Sequence, residues 1–146
     1  MAFNDTPEMP EQIAAFLHDS SVVTIATSID NHPYCAACYF AYVPEEHLLA
    51  FKSDIDTKHI EDALQNNFVA GSILPDKIVR SMPKGIQFTG EFYKAEDDIG
   101  EKAKWAYLKK FPVSGIFRGD IWVIALSKIK FTDNTLVFGK KSLWER

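Results

Sequence analysis

The run VVTIATS at residues 22–28, the tetrapeptide Asp30-Asn31-His32-Pro33 and the run YCAACYFAYV at residues 34–43 decide the fold. The first run is β-branched almost throughout, and turn-forming residues separate it from the second. Two adjacent strands joined as a hairpin follow from that pattern. Working outward, Pro44-Glu45-Glu46 makes a second turn and residues 47–52 read as a third strand. The stretch DIDTKHIEDALQNN places Ile60, Ala63 and Leu64 on one face, with Asp56 as N-cap of a helix of about three turns. Residues 68–74 and 85–95 are further strands, separated by a loop holding Pro75 and Pro83. Ile99, Ala103, Ala106 and Tyr107 recur at helical spacing and give a long helix that stops at Pro112. Residues 121–131 form a long strand, Asp133-Asn134 a turn, and residues 135–138 a short final strand. Towards the N-terminus, Ile13, Phe16 and Leu17 give a short helix with one apolar face, lying across one end of a sheet.

Strands linked mostly by turns, with single helices between them, do not alternate as a doubly wound fold does. The pattern fits a mainly β (α+β) class, a small antiparallel barrel with appended helices. A chain of 146 residues without internal repeat or low-complexity linker reads as one domain, residues 1–146. It can bury roughly two thirds of its unfolded surface and needs neither disulfide nor metal to fold. Sixteen Lys and Arg against 20 Asp and Glu give a net charge of −4 without a basic block, which argues against nucleic acid as the main partner. No apolar run reaches the length of a membrane span, and the acidic start MAFNDTPEMPEQ lacks the pattern of a secretory signal, so a cytoplasmic location is expected.

Cys35 and Cys38 form a C-x-x-C, but residues three apart on a strand point to opposite faces. The expectation is two small buried residues, with no metal site and no disulfide. His18, His32, His47 and His59 are dispersed, and no serine or cysteine lies in a nucleophile motif, so no catalytic residue is assigned. The segment Ser53-Asp54-Ile55-Asp56-Thr57-Lys58-His59 leaves a strand and enters a helix. Free amides at a helix start attract anions, and Ser53, Thr57, Lys58 and His59 add donors in the same place, so a phosphate would sit well there. The alternative reading is that Asp56 simply caps the helix while Lys58 and His59 face water. The C-terminal run joins Lys140, Lys141 and Arg146 to Phe138 and Trp144, a basic and aromatic tail that could pack on a planar anion or a partner subunit, or simply anchor the chain end.

The order of these pieces resembles the flavin-binding split barrels related to pyridoxamine phosphate oxidase. Within that superfamily, GIQFTGEF at residues 85–92, the helix ending KKFPV at 109–113 and KIKFTDNTLVFGKKSLW at 128–144 resemble the bacterial YhbP-like branch. The resemblance implies a six-stranded antiparallel split β-barrel with appended helices, forming a homodimer with FMN in two interfacial clefts. It implies that Lys52, Ser53, Thr57, Lys58 and His59 hold the flavin phosphate and ribityl chain, and that residues 37–42 run beside the ring. Gln87 would face the cofactor, and Lys140, Lys141 and Trp144 of the partner chain would close the cleft. One Lys and one His stand where pyridoxamine phosphate oxidases place a stronger basic pair, so the expected flavin affinity is modest; the Arg-rich C-terminal segment that those enzymes use for pyridoxal phosphate is lacking, so that substrate is not expected. The function implied is a flavin-dependent oxidoreductase working with a small-molecule electron donor or acceptor. The alternative is a non-catalytic flavin- or haem-binding, stress-associated dimer.

Overall fold

In the computed structural model, which describes residues 6–134 and 141–146, β1 (Val22–Ile29) and β2 (His32–Val43) pair antiparallel with Ile29 opposite His32. Asp30 and Asn31 between them hold φ of 49° and 64°, the left-handed pair that a two-residue hairpin turn needs and that these side chains tolerate. Pro33 lies inside β2, opposite Ser28, rather than in the turn.

Leu48–Ser53 forms β3 beside β2, and Phe68–Ile73 forms β4 beside β1. Lys84–Lys94 forms β5 beside β4, and Asp120–Asp133 forms β6 beside β5. β6 also pairs with β3, Leu48 opposite Ala125 and Ser53 opposite Asp120, so six antiparallel strands close into a ring in the order β1-β2-β3-β6-β5-β4. This is the split barrel. A further strand, β7 (Lys141–Glu145), pairs with the second half of β6, where β3 no longer accompanies it. The final strand expected at residues 135–138 falls outside the described residues, and β7 is an addition to the sequence reading.

Strand alternation fills the ring with Val23, Ile25, Phe40, Tyr42, Leu49, Phe51, Val69, Ile73, Ile86, Phe88 and Phe92, all buried. β6 changes parity on the way: Trp122, Ile124 and Leu126 point inward, then Ile129 and Phe131. A bulge makes the change, because Thr89 faces Lys128 while Gly90 faces Leu126, leaving Ser127 as the extra residue. Without it the second half of β6 would turn Lys128 and Lys130 into the core. The rings of Phe92 and Trp122 stack at 5.2 Å between centroids, and each buried large side chain contributes about 1.5–3 kcal/mol.

The helices cover what the strands leave open. α1 (Glu11–Asp19) seals one end of the barrel with Ile13, Phe16 and Leu17, and α2 (Lys58–Gln65) seals the other with Ile60 and Ala63. α2 has 8 residues, shorter than expected, and Thr57 rather than Asp56 occupies its N-cap position. α3 (Asp97–Lys110) ends before Pro112 as its sequence requires, and Ala103 and Ala106 lie over Val43, Leu48, Ala50 and Val123 on the outside of the barrel. Ile99, expected on the buried face, is exposed, and Gly100 takes its place. A Cβ on Gly100 would lie 2.8 Å from the Ala95 backbone, so only glycine allows this approach.

Candidate functional site

Ser53 closes β3 with the same inward parity as Leu49 and Phe51, so its hydroxyl emerges at the end of the barrel that α2 covers. The Ser53 carbonyl accepts a hydrogen bond from the Trp122 indole at 2.9 Å, which fixes this strand end. The chain then turns through residues 54–57, where both the amide and the hydroxyl of Thr57 donate to the Asp54 carbonyl, at 3.2 and 2.8 Å. The N-cap hydroxyl is thereby turned back into the loop, and no side chain caps α2. The amides of Lys58, His59 and Ile60 therefore have no partner within the helix.

His59, in the first turn of α2, places Nε2 2.8 Å from Ser53 Oγ. Cys38, inward-facing on β2, brings its Sγ within 3.8 Å of both atoms. Burial holds His59 below its ordinary pKa, partly opposed by the charge of Asp62. Burial likewise raises the Cys38 thiol, opposed by the hydrogen bond to Ser53. A neutral imidazole beside a protonated thiol is not a thiolate nucleophile. It is a polar cluster able to donate to a ligand.

Lys58 stands at the rim, with Nζ 3.0 and 3.1 Å from the carboxylate oxygens of Asp62 and 5.0 Å from the Tyr34 ring centre. Asp62 is buried and also accepts from the Thr27 hydroxyl at 3.2 Å, so it keeps a partner if Lys58 turns elsewhere. Asp54, whose charge would oppose an anion, lies 4.0 Å from Nε of Arg118. Lys58 is thus paired along its own helix as well as half-open to water.

Lys52 does not join this cluster. It shares the outward face of Leu48 and Ala50, and its ammonium donates to the carbonyls of Ser114 and Phe117, each at 2.7 Å. The segment so held starts with the short 3-10 turn Pro112–Ile116 and ends at Gly119, whose φ of 125° suits only glycine. The segment carries Val113, Ile116 and Phe117 outward, all exposed.

Gln87 and Lys141 fall in a third place. Gln87 is exposed on the outside of β5, lining a groove with Thr89, Lys128, Lys130 and Leu143, and Lys141 begins β7 opposite Thr132. Trp144 is buried in its own chain's core, with its indole donating to the Pro7 carbonyl at 3.0 Å and its ring 5.0 Å from that of His47. Lys140 lies outside the described residues. The two cysteines occupy opposite faces of β2 as expected, but neither is fully buried: Cys35 is exposed and Cys38 partly buried. The sequence reading passed over Tyr34 and Asp62 at the site and placed Cys38 there only as part of the strand at residues 37–42. The parity of β2, which groups Cys38 with Phe40 and Tyr42, is the signal that would have found the thiol.

No family model matches the chain. It is 32% identical over 142 residues to a UPF0306 protein of Serratia proteamaculans, covering 97% of this chain and 99% of that protein. It is 31% identical over 134 residues to the UPF0306 protein YhbP of Escherichia coli, covering 92% and 91%. Among solved structures, a heme binding protein from Mycobacterium smegmatis superposes with a TM-score of 0.79 at 12% identity, over 95% of this chain. The chain spans 60% of that protein's length. A FAD-binding protein from Mesorhizobium loti matches with a TM-score of 0.66 at 20% identity, over 86% of this chain and 95% of that one. General Stress Protein 26 from Bacillus anthracis matches with a TM-score of 0.66 at 16% identity, over 93% and 97%. These likenesses establish the fold, the split barrel of pyridoxamine 5′-phosphate oxidase-like proteins. Among the described residues no helix is long and apolar enough to cross a membrane. The two sequence relatives each match over at least 91% of both chains, and the chain belongs to the UPF0306 family of YhbP-like proteins.

Proposed function

We propose that the protein binds FMN, with the flavin phosphate at the start of α2, and acts as a flavin-dependent oxidoreductase in a homodimer. The observation that carries this reading is the uncapped N-terminus of α2, where three free amides stand beside Ser53, Lys58 and His59. A neutral His59 with its proton on Nε2 donates to Ser53 Oγ and frees the serine hydroxyl to donate to an anion. Lys58 adds a charge-assisted bond by turning from Asp62, which Thr27 continues to satisfy. Tyr34, beside Lys58 and partly exposed, offers an aromatic surface at the same rim. Bound flavin supplies the electron transfer to or from a small molecule, while the chain supplies orientation and electrostatics.

The dimer reading rests on the outward face of β2 and β4, where Tyr39 and Phe68 stand 60% and 68% exposed. A second copy seated there would bury them. Gln87 and Lys141 lie away from α2 in their own chain, so their contribution to a cleft, with that of Lys140, comes from the second copy. Trp144 then backs β7 from within rather than touching the ligand. Lys52 holds the segment of residues 112–119 and does not touch the phosphate.

A haem carrier is the second reading, favoured by the likeness to the Mycobacterium smegmatis heme binding protein. Absorbance spectra of the purified protein before and after adding FMN, with release of any bound chromophore, separate the readings. Flavin bands that stay with the protein support the first. A Soret band supports the second, and a colourless protein whose melting temperature ignores FMN overturns the flavin reading.

A further inference from the structure

At the end of the barrel opposite α2, residues of α1, β2 and α3 enclose a groove of about 540 Å3. That is room for a small-molecule ligand. Its walls differ from the rest of an acidic chain: Lys102, Lys109 and Lys110 enter from α3 and His18 from α1, and Glu45 faces them. Helix geometry makes the arrangement, because positions 102, 105, 106 and 109 share one face of α3 while Ala103 and Tyr107 are buried.

The side chains differ in how far they are already engaged. Lys110 is fixed: its ammonium donates to the Ser20 carbonyl and stands 4.7 Å above the Phe40 ring. Lys102 reaches Glu46 only at 3.6 Å, and Lys109 has no partner among the described residues. Between them stands Trp105, 69% exposed, whereas Trp122 and Trp144 are 1% and 4% exposed. An indole left open between two weakly engaged ammonium groups presents a stacking surface with positive charge on both sides.

We propose that this groove binds a small planar ring carrying a phosphate or carboxylate group, the ring on Trp105 and the anion between Lys102 and Lys109. Glu45 accepts from a hydroxyl or amino group of the same ligand. A nucleoside monophosphate and an aromatic carboxylate share this chemistry. The site is separate from the one at α2 and does not depend on it.

Tryptophan emission tests the proposal on the purified protein, excited at the red edge of indole absorption and titrated with AMP and, separately, with benzoate. Saturable quenching of the long-wavelength emission is expected with at least one probe, and the probe that saturates identifies the anion class. The quenching is lost in Trp105→Phe and shifts to at least ~10-fold higher concentration in the double variant Lys102→Ala/Lys109→Ala. Absence of saturation with both probes overturns the proposal, as does quenching that is unchanged in the double variant. FMN distinguishes the two sites, since binding at α2 responds to Lys58→Ala and binding in this groove responds to the double variant.

Discussion

Lys52 and Ser53 are consecutive in the chain and stand on opposite sides of the barrel wall. Ser53 meets His59 under α2, while Lys52 reaches outward to the carbonyls of Ser114 and Phe117. One alternation of a strand thus separates two residues that a grouping by sequence places at one phosphate.

Replacing Lys52 by Met keeps the aliphatic stem and removes both bonds to the segment of residues 112–119. Because the lysine is only half-buried, a loss of about 1–3 kcal/mol is expected. Urea unfolding measures the loss, and faster proteolytic cleavage within residues 112–119 locates it. FMN affinity stays within about threefold of wild type if Lys52 acts only through this segment.

Lys58→Ala addresses the proposed phosphate site directly. Loss of one charge-assisted hydrogen bond weakens FMN binding by about 1.5–3 kcal/mol, read by flavin fluorescence titration. An unchanged affinity would remove the phosphate from the start of α2.

His59 and His47 both titrate below their ordinary value of 6.5, through burial in each case first. Well above pH 6.5 both are neutral in the folded and the unfolded chain, and they do not alter stability. As pH falls below 6.5 the unfolded chain takes up protons before the folded one does, so stability decreases until the folded values are passed. Urea midpoints measured from pH 7.5 to about 5 should fall over this window, and His59→Asn should flatten part of the slope. A midpoint independent of pH there would contradict the buried neutral histidine.

Trp144→Ala removes a ring from the core and a hydrogen bond from Pro7, so a cost of about 3–5 kcal/mol is expected, measured by chemical unfolding. Effects on a ligand should follow only from that loss of stability. A folded variant of wild-type stability would place the indole elsewhere.

The two cysteines should differ in reactivity. Mass spectrometry after brief alkylation should show Cys35 labelled first and Cys38 slowly, since Cys38 is partly buried with a raised pKa. Mild oxidation should give no disulfide between them.

Much of this was legible in the sequence because it depends on local pattern. The β1–β2 hairpin follows from β-branched runs around Asp30-Asn31, and the end of α3 follows from Pro112. What was not legible depends on contacts between distant segments or on exact geometry. Asp56 has the chemistry of a cap, yet the turn bonded through Thr57 and Asp54 delays α2. β7 has only five residues, too few for its alternation to stand out, and it is placed by Ser127 and Arg146 meeting at the bulge of β6. That Ser53, Lys58 and His59 come together could be read from the segment 53–59, but the contribution of Cys38 and Asp62 required knowing which strands lie beside α2.

The pairing of β3 with β6 also governs when the molecule can form. Leu48–Ser53 waits for a partner at residues 120–125, so the ring stays open until most of the chain has been synthesised. A nascent chain can make the early hairpin and no closed barrel, and it carries the inner faces of β1 to β4 unsealed in the meantime. Closure of this barrel is therefore tied to the emergence of residues 120–125 from the ribosome, and any step that needs the finished wall comes later still.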